Sequence, residues 1–203
     1  MAALRARTVL LTGSNRGIGL ELVKQLLGGP RPPAWIFATC RDPEGPRAQE
    51  LRDLASRHPN LVLVKLDVAN PSAIADAAKI VEGKLNGAGL NLLINNAGIY
   101  AQVSLETVDS DEMIRTYKTN AVGPLLMAQA ALNMLTKCQA LTYGEAGILC
   151  VALHPGWVKT DMGTQEADLT VDTSVRGLLS VLPVLSEKHS GNLLNWEGKV
   201  IPW

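Results

Sequence analysis

Short continuous apolar runs alternate with longer stretches whose apolar residues recur every three to four positions, and the alternation begins within the first ten residues. Runs of the first kind suit strands covered on both faces of a parallel sheet, and stretches of the second kind suit amphipathic helices. On this pattern Thr8–Leu11, Trp35–Thr39, Leu61–Leu66 and Leu90–Ile94 read as the first four strands. Helices fall at about Gly17–Leu27, ended by Gly28-Gly29-Pro30, then around Arg47–Arg57, and at Ser72–Leu85 with Ile74, Ala78, Val81 and Leu85 on one face. From Ser110, with Asp111 and Glu112 in a first turn that favours acids, a helical pattern runs to about Leu141, interrupted by Gly123-Pro124. Ile148–Leu153 reads as a further buried strand, Thr173–Lys188 as a helix and Leu193–Ile201 as a last strand. The expected class is α/β, a doubly wound parallel sheet in one domain across residues 1–203.

Composition removes several alternatives. The 203 residues are 47% hydrophobic, enough for one sizeable core, and nineteen basic side chains cancel nineteen acidic ones. With no block of like charge, neither a nucleic acid nor a membrane surface is an expected partner. A small molecule is. Cys40, Cys138 and Cys150 have no metal-ligand spacing, so no metal is expected, and three scattered thiols suit a reducing compartment. No leader pattern and no apolar run near 18 residues stands in the sequence, and a cytoplasmic location is expected.

The turn between the first strand and first helix carries the most chemistry: Thr12-Gly13-Ser14-Asn15-Arg16-Gly17-Ile18-Gly19. Glycines there let the chain turn tightly and let backbone N–H groups approach a pyrophosphate, whose charge the helix N-terminus stabilises. After the second strand, a chain reading an unphosphorylated ribose offers an acid to the 2′-hydroxyl; this one offers Thr39-Cys40-Arg41. Arg41, with Arg16, suits a 2′-phosphate and favours NADP(H) over NAD(H), although Asp42 lies next door. Asp67 is positioned to accept from an adenine amino group while Val68 packs on the ring. The fourth strand runs into Asn95-Asn96-Ala97-Gly98, where small residues allow close approach and the two amides can tie neighbouring strand ends. Asn120, a poor helix former inside a helical pattern, is expected to have a buried hydrogen-bonding task. Pro155-Gly156-Trp157-Val158-Lys159-Thr160 forms a turn whose Thr160 hydroxyl can meet a carboxamide.

Taken in order, these motifs resemble the short-chain dehydrogenase/reductase family over nearly the whole chain, with carbonyl-reductase-like members of the sniffer or C-factor group most similar. The resemblance implies a Rossmann-like fold and NADP(H)-dependent hydride transfer between a small-molecule carbonyl and an alcohol. It also implies cofactor contacts at Gly13, Ser14, Asn15, Arg16, Gly17, Ile18, Gly19, Arg41, Asp67, Val68, Asn95, Ala97, Gly98, Pro155, Gly156, Val158 and Thr160, and a catalytic-group member at Asn120. Family dimers often use the two helices fused here between Ser110 and Leu141, so the resemblance leaves a homo-oligomer open while implying that its surface would be altered.

One part of the family pattern is absent. Carbonyl reduction there uses a tyrosine acid, a lysine one helical turn on that lowers its pKa, and a serine on the preceding strand. This chain has no Tyr-x-x-x-Lys: four residues beyond Tyr100, Tyr117 and Tyr143 stand Ser104, Ala121 and Gly147. Between Asn120 and Ile148 there is no serine. Thr119–Pro124 resembles one family helix and Ala131–Lys137 the next, joined near Gln129 and Ala130, so the family lysine would fall at about Gln129 and the tyrosine at about Leu125. The fifth strand of the sheet is expected to be missing, with roughly 30–45 residues of half-helix, strand and half-helix. The remaining connection can still be right-handed, and the sheet is expected to close without that strand. Low or absent turnover follows, with a noncatalytic binding or interaction protein as the alternative. An active reductase would need substitutes: Tyr117 beside Lys118, Tyr100 after the Asn95–Gly98 loop, or His154, which reads as structural.

Overall fold

A computed structural model describes residues 4–100, 107, 109–130 and 147–201. Four strands, β1 (Thr8–Thr12), β2 (Trp35–Cys40), β3 (Leu61–Lys65) and β4 (Leu92–Ile94), form a parallel sheet in the order β3-β2-β1-β4. Their side chains alternate between two cores, as a strand's period of two requires. Val9, Leu11, Ile36 and Ala38 point to one face and pack against α1 (Gly17–Gly28), Leu51 of α2 (Gln49–Arg57) and Val175 of α6 (Val171–Val181). Leu10, Phe37 and Val64 point to the other, against α3 (Pro71–Leu85) and Met127 of α5 (Gly123–Ala130). Helices on both faces of a parallel sheet make this the expected Rossmann-like α/β fold.

Local chemistry accounts for the element boundaries. Asn70 caps α3, its side-chain oxygen accepting from the backbone of Ser72 and Ala73, with Pro71 at the first helical position. Asn86 ends that helix in the left-handed conformation. The buried face of α3 is Ile74, Ala77, Val81 and Leu85, so Ala77 takes the inward place expected of Ala78. Asp109 caps α4 (Ser110–Tyr117) by accepting from Glu112.

Where the sequence pattern suggests one interrupted helix, the chain passes from α4 through a π-helical turn, Lys118–Val122, into α5. Gly123 is required at the junction: a Cβ there would lie 2.9 Å from the Val68 carbonyl oxygen and 3.1 Å from the Val68 side chain. The continuation from Ala131 to Leu141 lies outside the described residues, as do Cys138 and Tyr143.

The second half departs from expectation. β5 (Ala152–His154) pairs in parallel with β6 (Leu193–Asn195), which pairs antiparallel with β7 (Val200–Ile201), in a separate three-stranded sheet. Among the described residues no strand lies between β4 and β5, and the two sheets do not close into one. The expected last strand is a hairpin, and α6 stops at Val181 before short 3-10 turns.

The reading of Ile148–Leu153 as a buried strand is corrected too: regular pairing begins only at Ala152, and Leu149 is exposed. Similarly β4 is half-buried along its length while β1 is wholly buried. Strands without a neighbour on one edge lose both cover and ladder hydrogen bonds. The halves are joined by α6 lying on α1, where Gln25 donates to the Asp172 side chain at 3.2 Å.

Candidate functional site

The glycine-rich turn leaves β1 at Thr12 and is tied to both neighbouring strands. Ser14 donates its hydroxyl to the Leu11 carbonyl at 2.8 Å, accepts from the Thr39 N–H at 3.2 Å, and is fully buried. On the other side the buried Thr12 hydroxyl accepts from the backbone N–H groups of Asn96 at 3.0 Å and Ala97 at 2.9 Å. Asn96 returns the tie, its side-chain amide donating to the Thr12 and Gly13 carbonyls at 3.0 and 3.1 Å. The strand-end clasp expected of the two asparagines is thus carried by Asn96 with Thr12; Asn95 stands exposed. Gly13 has φ +67°, and a Cβ on it would come within 2.9 Å of the Ala97 Cα. Only glycine allows that turn.

An open cleft of about 2010 Å³ lies at the carboxyl ends of the parallel strands. Its lining brings together Gly13, Asn15, Arg16, Gly17, Ile18, Gly19, Arg41, Asp67, Val68, Asn95, Ala97, Gly98, Asn120, Pro155 and Thr160. Ser14, Gly156 and Val158 are not in it: Ser14 is spent on the clasp, and Val158 is buried in a bridge to Leu169. Ligand pockets usually measure roughly 300–1,000 Å³. This cavity is larger because its lining also takes in Leu90–Ile94 and Gly147–Leu153.

Around the cleft each side chain has a local reason for its pose. One Asp67 carboxylate oxygen accepts from the Ala69 N–H at 2.9 Å. Asn120 has a hydrogen-bonding task, accepting from the Ile99 N–H at 2.8 Å and donating to its carbonyl at 2.7 Å, but it is exposed rather than buried. It sits in the π turn, an irregularity frequent at functional sites. Thr160 accepts from the Gly163 N–H at 3.1 Å, and the Pro155 carbonyl is held by Ser174 at 2.7 Å. His154 accepts from the Gly156 N–H at 3.0 Å, a contact within its own turn.

Two residues that the sequence reading did not single out matter here. Asp161 forms an ion pair with Arg16, both lining the cleft, and Arg115 lines it as well. Their only sequence signal is charge close to a motif. Tyr100 is exposed and lines the cleft, whereas Tyr117 and Lys118 do not line it. Among the described residues no cluster of three or more His, Cys, Asp or Glu could hold a metal, and no helix is long and apolar enough to cross a membrane.

Comparison with known proteins points one way. A family model described as short chain dehydrogenase matches residues 7–139. The solved NADPH-bound carbonyl reductase from chicken fatty liver superposes with a TM-score of 0.94 at 48% identity, covering 98% of this chain and 100% of that one. The carbonyl reductase Sniffer of D. melanogaster gives 0.93 at 34% identity, with coverage of 98% and 100%. An uncharacterized oxidoreductase of Schizosaccharomyces pombe is 26% identical over 255 aligned positions, 97% of this chain and 98% of the relative. Those positions outnumber the 203 residues here, so the alignment leaves a gap in this chain.

Proposed function

Because the chain belongs to the short-chain dehydrogenase family, we propose that it is a dinucleotide-binding member that retains an NADP(H) pocket and has lost carbonyl reduction. The residues present fit the cofactor. A left-handed Gly13 gives the tight turn that a pyrophosphate needs, Arg16 and Arg41 line the same cleft for a 2′-phosphate, and Asp67 with Val68 lies at the end of β3 for the adenine. Asn95, Ala97 and Gly98 would flank the ribose and Thr160 the carboxamide. When bound, the cofactor supplies hydride chemistry.

What the chain itself lacks is the proton donor. It contains no Tyr-x-x-x-Lys, and the observation that carries this reading is the cavity's extension between β4 and residues 147–153, where a strand and its serine would stand. Asn120, the member of the catalytic group that the sequence retains, clasps the Ile99 backbone. An internally shortened version of a longer reductase accounts for both the gap and the intact flanks. A single domain is the reading supported by α6 lying on α1. Free thiols at Cys40 and Cys150 suit the reducing cytoplasm.

Fluorescence titration is expected to show NADPH binding tighter than NADH, and NADPH oxidation with reactive aldehydes or quinones is expected to stay at background. Turnover in the range of ordinary reductases, abolished by Tyr117→Phe or Tyr100→Phe, would overturn the inactive reading. A second reading, that of an interaction protein, is favoured by Met113, Ile114 and Tyr117, large side chains exposed together on α4. Sedimentation of the chain alone and mixed with a full-length carbonyl reductase tests it.

A further inference from the structure

Arg16 stands at the N-cap of α1, inside the glycine-rich turn, yet its guanidinium is already engaged. It donates to the carboxylate of Asp161, 145 residues away in the sequence and also in the lining of the cleft. The acid is presented on a stiff turn. The Thr164 N–H donates to the Thr160 carbonyl at 2.9 Å, the Gly163 N–H to the Thr160 hydroxyl at 3.1 Å, and the Trp157 indole to the Gly163 carbonyl at 2.6 Å. That turn rests on the glycine loop itself, since a Cβ on Gly17 would touch the Thr160 methyl at 3.6 Å. Arg41, by contrast, forms no ion pair among the described residues.

We propose that Asp161 is a specificity-determining residue: an internal counter-ion that occupies Arg16 and competes with the 2′-phosphate of the dinucleotide, setting how far NADPH is preferred over NADH. The inference rests on the reading of Arg16 as a phosphate ligand. Its physical basis is exchange of one anion for another. A phosphate that takes Arg16 must first displace a carboxylate held in place by the protein, so net affinity reflects the difference between two ion pairs. With side chains 51% and 78% exposed, the pair is of the solvent-screened kind. The discount on NADPH is therefore modest, about 1.5- to 5-fold, and shrinks with added salt.

The test is a double-mutant cycle on the full chain, with Asp161→Asn, Arg16→Gln and the combination, titrated with NADPH, NADH and adenosine 2′,5′-bisphosphate at low and high salt. Asp161→Asn should tighten NADPH and the bisphosphate by that factor and leave NADH unchanged, and the gain should vanish in the Arg16→Gln background. Weaker or unchanged NADPH binding in Asp161→Asn, equal gains for both dinucleotides, or a gain that persists without Arg16 would each overturn the proposal while leaving the cofactor reading intact. No binding of NADPH by the parent protein would overturn both. Circular dichroism of each variant guards against misfolding, and Asp161→Glu, which keeps the charge, should behave as the parent.

Discussion

The Thr12 hydroxyl is the most exposed point of the design to a small change, because one oxygen serves two backbone donors. In Thr12→Val the shape is nearly kept, but the N–H groups of Asn96 and Ala97, now at 3.0 and 2.9 Å from the acceptor, would face a methyl group. A buried donor left without a partner costs about 1–3 kcal/mol. Both residues are half-buried beside an open cleft, so water can reach part of the vacated site, and a total of about 2–4 kcal/mol is expected. For a chain of this size each kcal/mol moves the melting temperature by about 2–4 °C, so the midpoint should fall by roughly 5–15 °C. Urea titration monitored by tryptophan fluorescence gives the free energy, and NADPH titration should show affinity falling in parallel as the Asn95–Gly98 loop drifts. Thr12→Ser, which keeps the oxygen, should cost about 1 kcal/mol for its lost methyl. A Thr12→Val protein within about 0.5 kcal/mol of the parent, still binding NADPH as well, would refute the clasp.

Three further outcomes follow from other contacts. Gly123→Ala would drive a methyl toward the Val68 carbonyl and should destabilise by about 1–3 kcal/mol in the same urea assay. Arg41→Asp should weaken NADPH by roughly ten- to a hundredfold and leave NADH unaffected; equal weakening of both would remove Arg41 from the phosphate. Burial pushes both described thiols above the ordinary cysteine range, so in a Cys138→Ser background iodoacetamide should label the half-buried Cys150 before the buried Cys40. Because it is the thiolate that reacts, both rates should keep climbing as pH rises past the usual thiol pKa of about 8.5.

How much was legible from sequence depended on whether a segment's neighbours were present. β1 and β2 were readable to within a residue because their apolar runs are buried on both faces, and the α3 helix because Ile74, Val81 and Leu85 recur on one face. The Thr12–Gly19 turn and the Asn95–Gly98 loop were likewise visible as local glycine and asparagine chemistry. Ile148–Leu153 misled because a short apolar run reads as a buried strand, whereas among the described residues no strand pairs with Ile148–Val151. The π turn at Lys118–Val122 leaves no periodic trace in five residues. Nothing local foretold the pairing of Arg16 with Asp161, since each is an ordinary surface charge until the fold brings the glycine loop and the Thr160–Thr164 turn together. Ser14 was drawn into the expected site by its motif position, although its hydroxyl is used up between β1 and β2.

The outer edge of β4 has one more implication, for how long the protein lasts. Its row of main-chain donors and acceptors, without a neighbouring strand among the described residues, is a template on which a stray polypeptide can register. In a cell the transiently unfolded fraction of any marginally stable chain is triaged by chaperones and proteases, so a loss of about 1–2 kcal/mol can change abundance several-fold. Abundance, more than pocket affinity, would then limit how much NADP(H) such a molecule can hold.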